Sequence, residues 1–197
     1  MVGLYNKVLL NFGQKILLIL MALKKSLTTE QICARLQLKA NGQKNLKQNK
    51  INKKFVYLIS PNKILDINFY NDLALVFSSK KISFFQLRLK KETNLNKIII
   101  GKKIKKICNK YKVKFLINDD PLLAKKLNAD GCHLGQKDMD LIKARKILKN
   151  KIIGVTCHNS INLAKRAIEA GADYLAFGAF YATKTKTVKY RASLTVL

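Results

Sequence analysis

Residues 113–138, VKFLINDDPLLAKKLNADGCHLGQKD, decide how this chain is read. Residues 113–117, apolar but for Lys114, predict a buried strand, Asn118-Asp119 a polar corner and 121–127 a short helix entered through Pro121. Residues 131–134 predict a second strand, closed by Gly135-Gln136-Lys137-Asp138. Strand, helix and strand within roughly 20 residues match a tight right-handed crossover between parallel neighbours. Asn118-Asp119 and Gln136-Asp138 then fall just past the C-terminal ends of two strands, the edge at which parallel α/β architectures bind ligands. Taken singly, Asp119 and Asp138 read as helix N-caps, one before Pro121 and one before Met139. Taken as a pair on one rim, they suit a hard cation such as Mg²⁺, which binds through one or two carboxylates plus substrate phosphates.

Working outward, strand and helix alternate from Phe55 onward. Strands are expected at 55–60, 83–87, 152–156 and 174–177, and helices at 65–77, 95–111, 140–148 and from Ser160, a capping residue, to Ala170, where Gly171 ends the turn. Polar side chains recur after successive strands: Gln86, Arg88 and Lys90; Asn118 and Asp119; Gln136 and Asp138; Thr156; and the loop with Thr183, Thr185 and Lys186. A doubly wound sheet would gather them at one switch point, whereas a barrel spreads them around its rim. The chain has neither a GxGxxG nor a GxxxxGK[ST] loop. The expected fold is therefore a parallel (β/α)₈ TIM barrel with about six βα units in 55–187, incomplete, followed by an atypical tail at 188–197. In an extended segment Gln86, Arg88 and Lys90 share a face, and an Arg fork beside a Lys point charge suits a diphosphate.

The remaining sequence bounds the function. The 197 residues are 48% hydrophobic, which excludes a wholly disordered chain. Cys33, Cys108, Cys132 and Cys157 are widely spaced and form neither a zinc pattern nor a disulfide framework, which fits a reducing cytosol. The net charge of +28 comes mostly from Lys in a chain rich in Asn and Ile, so genome composition explains much of it. The positive field still favours phosphorylated small molecules. The longest apolar run, 16–23, is far below the ~20 residues that a membrane span requires. Residues 1–54, with eleven Lys or Arg and one acid, Glu30, form a basic N-terminal extension. Helices are expected there at 8–23 and 28–38, followed by a linker at 41–52. No second helix of a DNA-reading pair follows, so nucleic acid is not the expected partner.

Residues 55–186 resemble thiamine phosphate synthases. The motifs that carry the resemblance are Gln86-Leu87-Arg88-Leu89-Lys90, Ile117-Asn118-Asp119, Ala129-Asp130-Gly131-Cys132-His133-Leu134-Gly135-Gln136-Lys137-Asp138, Ile153-Gly154-Val155-Thr156-Cys157-His158, Gly171-Ala172-Asp173-Tyr174 and Thr183-Lys184-Thr185-Lys186, in family order. The resemblance implies coupling of hydroxymethylpyrimidine diphosphate to a thiazole phosphate, through loss of pyrophosphate to a stabilised pyrimidinyl methyl cation that the thiazole nitrogen attacks. It implies Mg²⁺ on Asp119 and Asp138. Gln86, Arg88, Lys90, Asn118 and Lys186 would bind the diphosphate or pyrimidine, and Thr183 and Thr185 the thiazole phosphate. Thr156 and Lys186 are the implied catalytic residues. His133 and His158 are expected to support the site, since a dissociative displacement needs no strong base.

Three departures from the family pattern stand out: Asp120 where Arg is usual, Ala182 where Pro is usual, and no counterpart of the last two strands after Val188. They lead to the expectation of a truncated member with open strand edges, for which a homo-oligomer would provide cover. Two other readings are a thiazole tautomerase paralogue on the same barrel and a basic protein that binds RNA through its leader.

Overall fold

The computed structural model describes residues 17–21, 55–66, 68–179 and 191–193. Seven strands form one sheet in chain order: β1 (Leu17–Met21), β2 (Phe55–Ile59), β3 (Ile82–Leu87), β4 (Lys114–Asn118), β5 (Gly131–Leu134), β6 (Ile152–His158) and β7 (Tyr174–Phe177). From β2 to β7 every pairing is parallel, and the helices between them are α1 (Phe69–Ser78), α2 (Asn94–Tyr111), α3 (Pro121–Lys126), α4 (Leu141–Leu148) and α5 (Ile161–Glu169). Among the described residues the strand order never reverses, which is the winding of a barrel.

Period two sorts the strands onto two cores. Phe85, Leu87, Phe115, Ile117, Cys132, Leu134, Ile153, Val155 and Cys157 point at the helices, while Tyr57, Ile59, Leu116 and Tyr174 pack on the opposite, inner face with Phe84 and Ile152. The helices answer with apolar stripes at helical spacing: Phe69, Leu73 and Phe77 on α1, Ile104 and Cys108 on α2, Leu141, Ala144 and Leu148 on α4.

The inner face also shows that the sheet curls. β2 and β7 lie five strand intervals apart, about 24 Å if the sheet were flat. The Tyr57 and Tyr174 hydroxyls are 2.8 Å apart. Gly154 permits this approach, because a Cβ there would fall 1.8 Å from the Tyr174 ring.

Two expectations change. The helix predicted over 8–23 is not formed at Leu17–Met21, which instead pairs antiparallel with β2, from Leu17 opposite Ile59 to Met21 opposite Phe55. Leu and Met favour helices locally, but an open sheet edge offers ladder hydrogen bonds that outweigh propensity. The rest of the extension lies outside the described residues. The N-cap reading of Asp119 and Asp138 also fails. The caps are their neighbours: Asp120 accepts from Leu123 N at 2.9 Å, and Asp140 accepts from Lys143 N at 3.1 Å. The family departure at Asp120 thus has a local use.

Candidate active site

The C-terminal strand ends bring most of the predicted site residues together. Gln86, on β3, is buried (2% exposed) and donates through Nε2 to Asn118 Oδ1, at the end of β4. Asp119 follows in the left-handed region (φ 65°), a conformation Asp adopts more readily than most residues. That twist turns its carboxylate away from α3 and leaves the capping to Asp120. Lys90 Nζ lies 3.1 Å from Asp119 Oδ2. Arg88 alternates with buried Leu87 and Leu89, as period two predicts, and its guanidinium reaches Asn62 Oδ1.

Asp138 arrives from the turn after β5, where Gly135 N donates to its Oδ2 at 2.6 Å. Its pKa is raised, first by burial and then by the hydrogen bond and charge of the neighbouring Asp119, against the lowering effects of Gly135 N–H and Lys90. Two carboxylates held this close repel each other, and a cation between them relieves that repulsion. The donor set is hard oxygen, with one carboxylate oriented by a backbone N–H, and it fits a divalent ion that keeps waters and substrate oxygens in its remaining positions. Among the described residues no group of three or more acidic, His or Cys side chains competes for a metal. A cavity of about 270 Å³ adjoins Asp119, bordered also by Lys90, Lys97, Asn118 and Asp120.

Thr156, on β6, faces the lumen with its hydroxyl 2.8 Å from His133 Nε2, and its carbonyl accepts from Gln136 Nε2. The structure therefore unites Gln86, Lys90, Asn118, Asp119, Asp138 and Thr156 at one rim, with Arg88 beside them. Thr183, Thr185 and Lys186, together with Ala182, lie outside the described residues. Sequence reasoning missed Ser60 and Asn62, which hold Arg88 by its backbone N–H (2.8 Å) and its guanidinium. The signal was present in Ser60-Pro61-Asn62, a polar turn directly after a strand. It also missed Tyr57 and Tyr174, whose inward hydroxyls needed partners.

Parallel strands wound in order, with acidic and basic side chains gathered on the C-terminal rim, are the arrangement of a (β/α)-barrel enzyme. The thiamine monophosphate synthase family model matches residues 56–197. A thiamine-phosphate synthase of Pelagibacter ubique is 94% identical over 152 residues, covering 77% of this chain and 73% of that protein. One from Marinobacter nauticus is 46% identical over 113 residues, 57% of this chain and 51% of that one. The solved thiamine phosphate pyrophosphorylase of Pyrococcus furiosus superposes with a TM-score of 0.54 at 28% identity, over 59% of this chain and 56% of that one. The chain belongs to the thiamine monophosphate synthase family, transferases of thiamine biosynthesis.

Proposed function

We propose that this chain couples hydroxymethylpyrimidine diphosphate to thiazole phosphate with release of pyrophosphate, and that it does so with Mg²⁺. The observation that carries the reading is the facing pair Asp119 and Asp138 beside Lys90. When bound there, Mg²⁺ would offset charge on the leaving pyrophosphate and act as a template for it. Asp119 and Asp138 would hold the ion. Lys90 and Arg88 add positive charge for the diphosphate oxygens, and Gln86 with Asn118 orients the pyrimidine end. Thr156 stands beside the reacting carbon, where its oxygen lone pair stabilises positive charge. Lys186 would assist departure of the pyrophosphate, while Thr183 and Thr185 receive the thiazole phosphate. The protein's contribution is orientation and charge stabilisation, and it needs no strong base.

The partners are thus phosphorylated small molecules. No helix among the described residues is long and apolar enough to cross a membrane. Cys108, Cys132 and Cys157 are free and buried, which supports a reducing compartment such as the cytoplasm.

The test is coupling by the purified full chain with both substrates and Mg²⁺, beside Asp119→Ala and Asp138→Ala. Product that requires Mg²⁺ and both carboxylates is expected. Folded protein that yields no thiamine phosphate, or yields it equally well in chelator, would defeat the reading.

A further inference from the structure

The lumen holds a chain of hydrogen bonds of which the rim residues are only the two ends. Thr156 Oγ1 lies 2.8 Å from His133 Nε2, His133 Nδ1 2.8 Å from the Tyr174 hydroxyl, and that hydroxyl 2.8 Å from the hydroxyl of Tyr57. Tyr57 donates to Gln86 Oε1 at 3.1 Å, and Gln86 Nε2 donates to Asn118 Oδ1. Each of the six parallel strands supplies one member.

Donor counting gives the chain a direction. Burial pushes both phenols far up, so each keeps its single proton. Tyr57 spends its proton on Gln86, so it can only accept from Tyr174. Tyr174 then has none left for His133, and must accept from Nδ1–H. With Nδ1–H donating to Tyr174 and the ring in its neutral form, Nε2 is left to accept the proton of Thr156. The Thr156 hydroxyl is thereby committed, and Asn118, accepting from Gln86 through Oδ1, keeps its amide hydrogens for other partners.

We infer that Tyr57, Tyr174 and His133 are positioning residues that fix the direction of this chain, so that Thr156 offers substrate only acceptor lone pairs and Asn118 offers it only N–H donors. What meets those ends rests on the coupling reaction proposed above. An acceptor suits an electron-poor carbon or an exocyclic amine, and a donor at Asn118 suits a ring nitrogen of the pyrimidine end. The reverse direction would present a hydroxyl proton at Thr156 to developing positive charge. A chain with every member satisfied also polarises along its length, so a change at one end is felt at the other.

The experiment is ¹⁵N NMR of the full chain labelled at histidine, of which there are two, His133 and His158, with His158→Gln to assign the signals. His133 is expected to carry its proton on Nδ1 in the unaltered protein. In Tyr57→Phe the Tyr174 hydroxyl loses its acceptor and turns to Nδ1, so the proton moves to Nε2. In the same variant kcat should fall about tenfold to a hundredfold, with the KM for the diphosphate within roughly threefold. An Nε2–H tautomer or an imidazolium in the unaltered protein overturns the inference whatever the activity. An unchanged tautomer and kcat in Tyr57→Phe also overturns it. The Nδ1–H tautomer in a protein that shows no coupling upholds the chain and instead defeats the proposed reaction.

Discussion

At the N-terminal rim, Asp130 and Asp173 occupy matching places one residue before β5 and before β7. Each donates its own N–H to the carbonyl at the start of the strand alongside, Phe115 or Ile153 (2.8 Å for both), and takes that residue's N–H on its carboxylate (2.9 and 2.7 Å). A cation completes each clasp, Lys105 at 2.9 Å for Asp130 and Arg145 at 2.6 Å for Asp173. At the C-terminal rim, Asp119 and Asp138 have the same side chain and nearly the reverse surroundings. They face each other, and among the described residues the one cation in contact, Lys90, is half exposed. The N-terminal rim uses carboxylates to clasp neighbouring strands, and the C-terminal rim sets them against each other.

The largest effect should come from the top. Asp119→Asn removes one side of the proposed cation site and is expected to lower coupling at least about a hundredfold. Its thermal midpoint should stay level or rise, since Asp138 loses a repelling neighbour. A fall in the midpoint, read by circular dichroism, would instead make Asp119 a structural residue like Asp130.

The converse substitution, Asp130→Ala, leaves Phe115 N–H and Lys105 without their partner. A loss of about 2 kcal/mol in urea unfolding is expected, with kcat of the folded protein unchanged. An activity loss larger than the unfolded fraction would blur the distinction between the rims.

Acid titration separates the two ends by sign. Burial raises the Asp130 pKa, but the Phe115 N–H bond and the charges of Lys105 and Lys114 outweigh it and hold the group below its ordinary 3.8. Its contribution is present above 3.8 and is lost as pH falls through the lowered value. Asp138 runs the other way. Its pKa is raised above 3.8, so in metal-free protein its contribution is present below 3.8 and is lost as pH rises through the raised value. Mg²⁺ should therefore lift the thermal midpoint more at neutral pH than near pH 4, and a shift independent of pH would argue against a cation on Asp138.

The smallest effect tests the division of labour at the β4 corner. Asp120→Ala should cost about 1 kcal/mol, and Asp120→Asn most of it less, because the amide oxygen still caps α3. If Asp120→Ala matched Asp119→Asn in lost activity, the cap would belong to the site as well.

Much of this was legible beforehand. The strand at 131–134 and the helix at 140–148 follow from apolar period and turn residues, and β5 and α4 form where expected. The alternation of Gln86, Arg88 and Lys90 with Leu87 and Leu89 was readable for the same reason. Which of two adjacent acids caps a helix was not readable, because Asp119 and Asp120 carry identical chemistry and differ only in backbone angle, φ 65° against −122°.

By itself the sequence determined the parallel βα alternation, the two-faced strands and the rim on which the charged residues stand, since all of these are local periodicities of three to twenty residues. Tertiary structure alone decided that Leu17–Met21 joins the sheet edge, that Asp119 and Asp138 confront each other, and that Tyr57 meets Tyr174 across five strand intervals. The last of these contacts depends on the curl of the whole sheet and on the space left by Gly154. Such curvature is a sum over many residues, and no short stretch encodes it.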